Sequence, residues 1–362
     1  MVIFSEIKGI MKKTFTLICL ILASIIGAGF ASGKEIEVFF TRYGKAGVIS
    51  IALALVLFAL LIILYLRFGY KFKSNNIFVT NRILFGKLSI IINLFVFISY
   101  AIVLSGMLAG VYELYLNISN ASIAKLLVLV TAILCIIENS GGIKSIYIIN
   151  NIFIPLTIVI LVLSACLKVG ECNLQFDNLV NFNCLLPYAS SICYISINLM
   201  LTGNILIQEG QKYTKRQVIF AAILSSIILT LIIFLFDIIL LNFNIKSEMP
   251  MLTFAFNINY WWGIVVLVCI WFCVYSAITS ISYILADCFG SDNAFLTNLI
   301  IITLAYMISL FGFSTIVQYL YPVIGIFGII FSFAIIIKMR QKSTTMHTTM
   351  QNISLYRNKA KN

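Results

Sequence analysis

The stretch Gly27-Ala28-Gly29-Phe30-Ala31-Ser32-Gly33-Lys34-Glu35 interrupts the first long apolar segment of this chain. Each glycine in a helix interior costs about 1 kcal/mol relative to alanine, so clustered glycines weaken a helix. In a bilayer, a broken helix is tolerated only where its free backbone groups line an enclosed cavity or bind a ligand. The stretch therefore predicts a helix break at a ligand-binding site. The alternative is that Gly27 and Gly29 serve close packing between membrane helices.

The composition of the chain indicates a polytopic membrane protein. Of its 362 residues, 62% are hydrophobic and 10% are charged, and the mean hydropathy is +1.10. Soluble domains carry about 25% charged residues. The formal net charge is +12, but the basic residues collect in alternate loops and at both termini. That placement reports membrane topology, so we expect a lipid bilayer as partner and no nucleic acid.

Apolar runs of about 20 residues, the length that crosses the hydrocarbon core, define ten predicted spans. The first span reaches membrane length only when the two half-helices on either side of the glycines are counted together. The boundary between the last two spans falls at Gly312 and Ser314. The ten spans cover residues 14–41, 46–68, 88–116, 122–138, 146–167, 185–207, 217–242, 259–285, 296–311 and 314–338.

The distribution of basic residues predicts the orientation. With the N-terminus inside, only six of the 24 basic residues face outward, namely Lys34, Arg42, Lys45, Lys125, Lys168 and Lys246. This bias predicts a multi-pass cell-membrane protein with both termini in the cytoplasm. The predicted organisation is a cytoplasmic segment (1–13), a five-helix repeat (14–167), an extracellular loop (168–184), a second five-helix repeat (185–338) and a disordered basic tail (339–362). Cys172 and Cys184 share the extracellular loop, where they either pair or remain free.

An odd number of spans in each half makes the two halves inverted relative to each other. If they are repeats, span six should be interrupted as span one is. Span six carries an unusual polar run from Pro187 to Asn198, which includes Tyr194 and Ser196. Such side chains are costly on a lipid face, so they face either a cavity or a neighbouring helix to which they hydrogen-bond.

The motifs resemble a known family. The segment from Gly27 to Glu35, followed by Phe39-Phe40-Thr41-Arg42-Tyr43-Gly44, resembles the opening signature of the YkvI-like bacterial membrane proteins. Tyr194-Ile195-Ser196-Ile197-Asn198 resembles the aromatic–x–Ser–x–Asn stretch of that family. The family is similar to the amino acid–polyamine–organocation (APC) superfamily. The resemblance implies an all-α integral membrane fold of about ten helices, a 5+5 inverted repeat with discontinuous helices 1 and 6, as in the sodium-coupled leucine transporter.

The resemblance also implies a binding site at the break, in agreement with helix electrostatics. Free amides at the start of a half-helix favour a substrate carboxylate, and carbonyls at the end of the preceding one favour Na⁺. Tyr100 in span three either closes over the substrate or packs between helices. Lys34 stands where the family signature suggests Gln. The substrate candidates are Gly27, Ala28, Gly29, Phe30, Tyr100, Tyr194, Ser196 and Asn198, and the Na⁺ candidates are Ala23, Ser24, Thr279 and Ser280.

Lys34 and Glu35 lie within the predicted bilayer, where charges are costly. They either neutralise each other or act in gating or coupling. The coupling ion is also suggested by the resemblance, because proton-coupled relatives use a lysine in span five. Residues 146–167 contain no lysine, which favours Na⁺ over H⁺.

The predicted function is cation-coupled secondary transport of a small solute, an amino acid or a related amine, by alternating access. The alternative is a nutrient sensor, comparable to germinant-receptor permease subunits, that binds solute without net transport. The sequence predicts no enzyme: metalloprotease, Gly-x-Ser-x-Gly and phosphate-loop motifs are absent, and the only histidine, His347, lies in the tail. No cofactor is expected besides Na⁺ as coupling ion.

Overall fold

A computed structural model of the protein describes residues 2–74, 76–140, 143–171, 185–289 and 294–341. Cys172 and Cys184 lie outside these residues, as does most of the predicted basic tail. The described residues form helices and turns with no strand, and seven of the helices are long and apolar enough to cross a membrane. The first half contains α1 (Val2–Ile25), α2 (Ala28–Ala31), α3 (Lys34–Phe39), α4 (Lys45–Phe72), α5 (Ile77–Phe85), α6 (Ser89–Leu116), α7 (Ala121–Ser140) and α8 (Ile143–Val169).

The second half has the same order of elements. Each predicted span corresponds to a helix or, in the first and last spans, to consecutive helical segments. A nine-residue helix follows the second span of each half, α5 in the first half and α11 in the second, which supports the predicted repeat. The second half contains α9 (Leu186–Glu209), α10 (Lys215–Phe243), α11 (Pro250–Ile258), α12 (Tyr260–Phe289), α13 (Ala294–Ser309), α14 (Phe313–Thr315) and α15 (Tyr321–Arg340), with a π-helical turn (Ile316–Leu320) before α15.

The first span is broken as predicted. Helix α1 ends at Ile25, and Gly27 has extended backbone dihedrals before the single turn of α2. A second interruption follows at Gly33, whose φ of 80° lies in the left-handed region that favours glycine. The glycines thus divide the span into three helical segments.

Span six differs from the prediction, because α9 continues without interruption from Leu186 to Glu209. Two of its polar side chains bond back to carbonyls one turn earlier: Asn198 Nδ2 donates to Tyr194 O at 3.0 Å, and Thr202 Oγ1 donates to Asn198 O at 2.8 Å. Ser190 and Ser191 instead donate to the carbonyls of Phe39 and Ser50, at 2.8 and 3.0 Å. Such bonds leave the backbone ladder in place. The polar run contains no glycine to open the helix, and the predicted interruption of span six is therefore wrong.

The outer surface of the bundle is apolar. Large hydrophobic side chains of α6 and α7 point away from the protein, among them Ile90, Leu94, Leu126 and Ile133. Contiguous exposed apolar surface of this kind is typical of membrane-embedded helices. Helix α9 is the exception, since 83% of its apolar stretch is buried, against 33–56% for the other spans. It therefore lies at the centre of the fold.

The spans form two packed groups around α9. In one group, α4 packs on α9 and α10, and α1 packs on α10. In the other, α6 packs on α7, α12 and α13, and α12 packs on α13. Helix α1 packs on α10 of the first group, while the short α2 contacts α6 and α12 of the second, so the broken first span lies between the two groups.

Helices α4 and α9 approach closely where two glycines face the partner backbone. A Cβ on Gly69 would overlap the carbonyl of Ile207, and a Cβ on Gly210, just after α9, would overlap the carbonyl of Leu66. The two glycines thus permit backbone contact from both sides, as small residues do in membrane helix pairs.

We expect Gly69→Val to lower the thermal unfolding temperature of the detergent-solubilised protein. The added side chain forces α4 and α9 apart, and overpacking of this kind costs about 1–3 kcal/mol. Gly170→Val is the control, because a Cβ there meets no atom within 4 Å. Equal unfolding temperatures for the two variants would contradict the close approach.

Candidate functional site

A cavity of about 110 Å³ lies beside the break in the first span, between the two helix groups. A buried water occupies roughly 10–15 Å³ by this measure, so the cavity has room for a small solute. Its walls come from α1, α6, α9 and α12, with Glu35 of α3 and Tyr321 of α15. Polar or flexible side chains that line it are Ser24, Glu35, Tyr100, Met107, Asn198, Thr202, Ser276, Ser280 and Tyr321.

Glu35 contributes the charge of the cavity. Among the described residues that line it, Glu35 is the only charged side chain, and the residue is 6% exposed. Its side chain folds back over Gly29: a Cβ on Gly29 would overlap the Glu35 carboxylate and its Cγ. The second glycine of the signature therefore provides the space in which the Glu35 side chain lies.

Two tyrosine hydroxyls lie within electrostatic reach of the Glu35 carboxylate, those of Tyr194 and Tyr321. Both are buried, and neither forms a hydrogen bond of good geometry within the described part of the chain. The Tyr194 ring is held by Phe39, Phe40 and Phe58 at centroid distances of 5.5, 5.2 and 6.2 Å. Buried polar atoms without partners are rare in native structures, and a bound ligand is one way in which they are satisfied.

Tyr100 and Asn198 place further polar atoms on the cavity wall. The Tyr100 hydroxyl donates to the Leu201 carbonyl at 2.6 Å and accepts from Asn204 Nδ2 at 3.4 Å. These bonds fix α6 against α9. Ser196 lies elsewhere: it faces α15, where a Cβ on Gly328 would overlap its carbonyl.

Three of the four predicted Na⁺ ligands line the cavity, from two different helices. Ala23 and Ser24 line the cavity from the end of α1, and Ser280 lines it from α12. Thr279 does not line it, and its buried hydroxyl donates to carbonyls of α12 at 3.0–3.1 Å. Hydroxyl and carbonyl oxygens are ligands that suit hard cations, so Ser24 and Ser280 with the α1 carbonyls form a suitable donor set.

The amides of the break lie behind the cavity wall. Gly27 lines the cavity, whereas Ala28, Gly29 and Phe30 do not. The Ala28 amide donates to the sulfur of Met107 at 3.3 Å, and Phe30 packs on Phe236 with ring centroids 6.4 Å apart. The Glu35 side chain already lies against Gly29, so this end of the break is occupied by a carboxyl group of the protein itself.

Lys34 points away from the cavity, toward the segment 247–251 that leads into α11. Its Nζ donates to the Ser247 carbonyl at 3.0 Å and pairs with Glu37 at 2.9 Å. The Met251 amide donates to the Ser32 carbonyl at 2.8 Å. Glu248 in the same segment accepts from the Ser314 amide at 2.8 Å, so segment 247–251 joins the first span to the last.

Asp237 is a second buried carboxylate near the break. Its Oδ1 accepts a 2.6 Å hydrogen bond from the Thr41 hydroxyl, which follows α3. Asp237 does not line the cavity. It fixes α10 to the end of the first span.

The sequence prediction and the cavity overlap in part. The cavity brings together Ala23, Ser24, Gly27, Glu35, Tyr100, Asn198 and Ser280. Ala28, Gly29, Phe30, Lys34, Tyr194, Ser196 and Thr279 lie outside its wall. The sequence reading missed Met107, Thr202, Ser276 and Tyr321; the polar character of span six extends to Thr202, and nothing in the sequence singled out the other three.

Comparison with solved structures places this arrangement in a known class of membrane fold. The chain superimposes on Mhp1, a nucleobase-cation-symport-1 family transporter, solved in a closed conformation with bromovinylhydantoin bound. The TM-score is 0.63 at 13% identity, and the match covers 86% of this chain and 74% of Mhp1. The chain therefore has the all-α fold of the leucine-transporter class of secondary transporters, as predicted, with the predicted break in the first span but none in span six.

The sequence is also similar to YkvI, an uncharacterized membrane protein of Bacillus subtilis (strain 168). The two are 26% identical over 219 residues, which is 59% of this chain. The match spans 62% of the length of YkvI. No established protein family matches the chain.

We expect Lys34→Met to loosen segment 247–251 from the first span. Hydrogen bonds to charged groups contribute roughly 1.5–3 kcal/mol, so amide exchange in 247–258 should accelerate by about tenfold or more in hydrogen–deuterium exchange. Lys125→Met, on the exposed face of α7, should leave this exchange unchanged. Unaltered exchange in the Lys34 variant would contradict the role of Lys34 in holding the segment.

Proposed function

We propose that the protein is a cation-coupled secondary transporter of a small solute, an amino acid or a related amine, that works by alternating access. The observation that carries this proposal is the cavity at the broken first span, between two separately packed helix groups. In this mechanism a bundle of spans 1, 2, 6 and 7 rocks against a scaffold of spans 3, 4, 8 and 9.

The packing of the helices supports such a movement. Within each group the helices pack on one another, whereas the cavity takes walls from both: α1 and α9 from the bundle, α6 and α12 from the scaffold. A rotation of one group against the other would therefore open or close the cavity, with α8, which packs on α1, α10 and α12, as the link between the two groups. Segment 247–251 would move with the first span, since Lys34 and Ser32 bond to it.

We propose Na⁺ as the coupling ion, in preference to H⁺. Ser24 at the end of α1 and Ser280 on α12 belong to different groups and face the same cavity. An ion held by both would stabilise one arrangement of the two groups over the other, which is the requirement for coupling. Thr279 would take part only after a rearrangement, because it does not line the cavity.

We also infer that the chain is a relative of YkvI within the APC superfamily, that it lies in the cell membrane with both termini cytoplasmic, and that it is not an enzyme. The resemblance of residues 27–35 to the YkvI-like signature, the 26% identity to YkvI and the leucine-transporter-like fold support these assignments. Fold alone does not define a substrate, so the solute class rests on the cavity.

Uptake into proteoliposomes tests the proposal. With an inward Na⁺ gradient, we expect a pool of labelled amino acids and amines to accumulate above the level reached without a gradient. Gly29→Leu should abolish this accumulation, because the larger side chain displaces the Glu35 carboxylate and fills the break. Gly170→Leu, in open space after α8, should transport normally.

Two other outcomes would each contradict one part of the proposal. Accumulation driven by a proton gradient alone would contradict Na⁺ coupling and leave transport in place. Solute-dependent thermal stabilisation without flux under any gradient would contradict transport and favour the sensor function.

A further inference from the structure

We propose that the cavity binds its solute through a protonated amine, with the Glu35 carboxylate as the counter-ion; this inference rests on the proposed function and names its substrate class. The solute is accordingly a cationic or zwitterionic amine. The ammonium group would lie between Glu35, the end of α1 and the phenol oxygen of Tyr321.

The charge balance of the cavity is the first support. Glu35 is the one charged side chain among the described residues of its wall, and the nearby cation, Lys34, bonds instead to Ser247 and Glu37. The neighbouring helices contribute neutral groups: Tyr194 from α9, Tyr321 from α15, Tyr100 from α6 and Ser276 from α12. A buried carboxylate without a cationic partner is costly in a membrane, and a ligand cation would remove that cost.

The backbone of the first span adds a second, independent preference for a cation. Helix α1 is 24 residues long and ends at Ile25, and its last turn lines the cavity at Ala23, Ser24 and Ile25. The C-terminal end of a helix carries free carbonyl groups and a partial negative charge of about half a unit. Side chain and backbone therefore present the same sign of charge to the cavity.

The tyrosine hydroxyls fit the donor geometry of an ammonium group. An ammonium has three N–H donors, while a carboxylate and a phenol oxygen both accept. One donor would satisfy Glu35, and another would reach the phenol oxygen of Tyr321, which lines the cavity and has no hydrogen-bond partner among the described residues. The cavity volume of about 110 Å³ exceeds that of a single ion, so the cation belongs to an organic solute.

Thermal stability of the purified protein tests the inference directly. The probes are methylamine, isobutylamine and benzylamine, each beside its N-acetyl derivative, which keeps the carbon skeleton and loses the charge. Each probe is measured in KCl and in NaCl at equal ionic strength. We expect at least one amine to raise the unfolding temperature in either salt, and the N-acetyl derivatives to leave it unchanged.

The variant Glu35→Gln keeps the shape of the side chain and removes its charge. We expect it to bind the stabilising amine roughly 10- to 100-fold more weakly, the range that follows from losing one charge-assisted hydrogen bond. Glu113→Gln is the matched control, since it removes a carboxylate of α6 that does not line the cavity. Gly29→Ala is a second test that keeps the charge: its Cβ displaces the Glu35 carboxylate, so amine binding should also weaken.

Three results would overturn the inference: no stabilisation by any of the amines, equal affinity in Glu35→Gln and the unaltered protein, or stabilisation by Na⁺ alone. In the last case the Glu35 charge would serve an inorganic ion. Gradient-driven uptake of a solute that lacks an amine would overturn this inference and leave the transport proposal standing. Amine binding that depends on Glu35, without any flux, would support this inference and contradict the transport proposal.

Discussion

The contact between the Glu35 side chain and Gly29 is the constraint on which the candidate site depends. The carboxylate can lie beside the cavity only because residue 29 has no Cβ and because the helix is interrupted on both sides of α2. In a continuous helix, apolar side chains such as leucine would fill the space that the Glu35 carboxylate occupies. The glycines that weaken the first span therefore have two consequences: they open the backbone, and they admit a charged side chain to the membrane interior.

The same short helix carries two adjacent residues with opposite roles. Lys34 bonds to segment 247–251, and Glu35 lies at the cavity, so α3 connects the interior of the site to the segment that joins the first and last spans. On the proposed mechanism, a solute that binds Glu35 would shift α3 and with it the hold of Lys34 on Ser247. This connection gives a physical route by which occupancy of the cavity could bias the arrangement of the two helix groups.

Much of the fold could be predicted from the sequence, because membrane spans are defined by apolar runs of fixed length and the break by a local glycine cluster. The conformation of span six could not be predicted. The polar run from Pro187 to Asn198 fits both a broken helix and a continuous one whose side chains bond one turn back or to neighbouring helices. The partners of Lys34 could not be predicted either. Ser247 lies 213 positions further along the chain, and Glu35 and Glu37 are both close enough in sequence to pair with Lys34. Tyr321 lies at the site because of the packing of the last span, after a π-helical turn that no residue pattern predicted.

A crystal of the protein grown with 4-bromobenzylamine would test the central claim most directly, since anomalous scattering locates the bromine and fixes the direction of the ligand. The account predicts a bromine peak inside the cavity between α1, α6, α9 and α12, with the amine within hydrogen-bond distance of the Glu35 carboxylate. A bromine peak outside this cavity, or an amine directed away from Glu35, would contradict the assignment of the broken first span as the solute site.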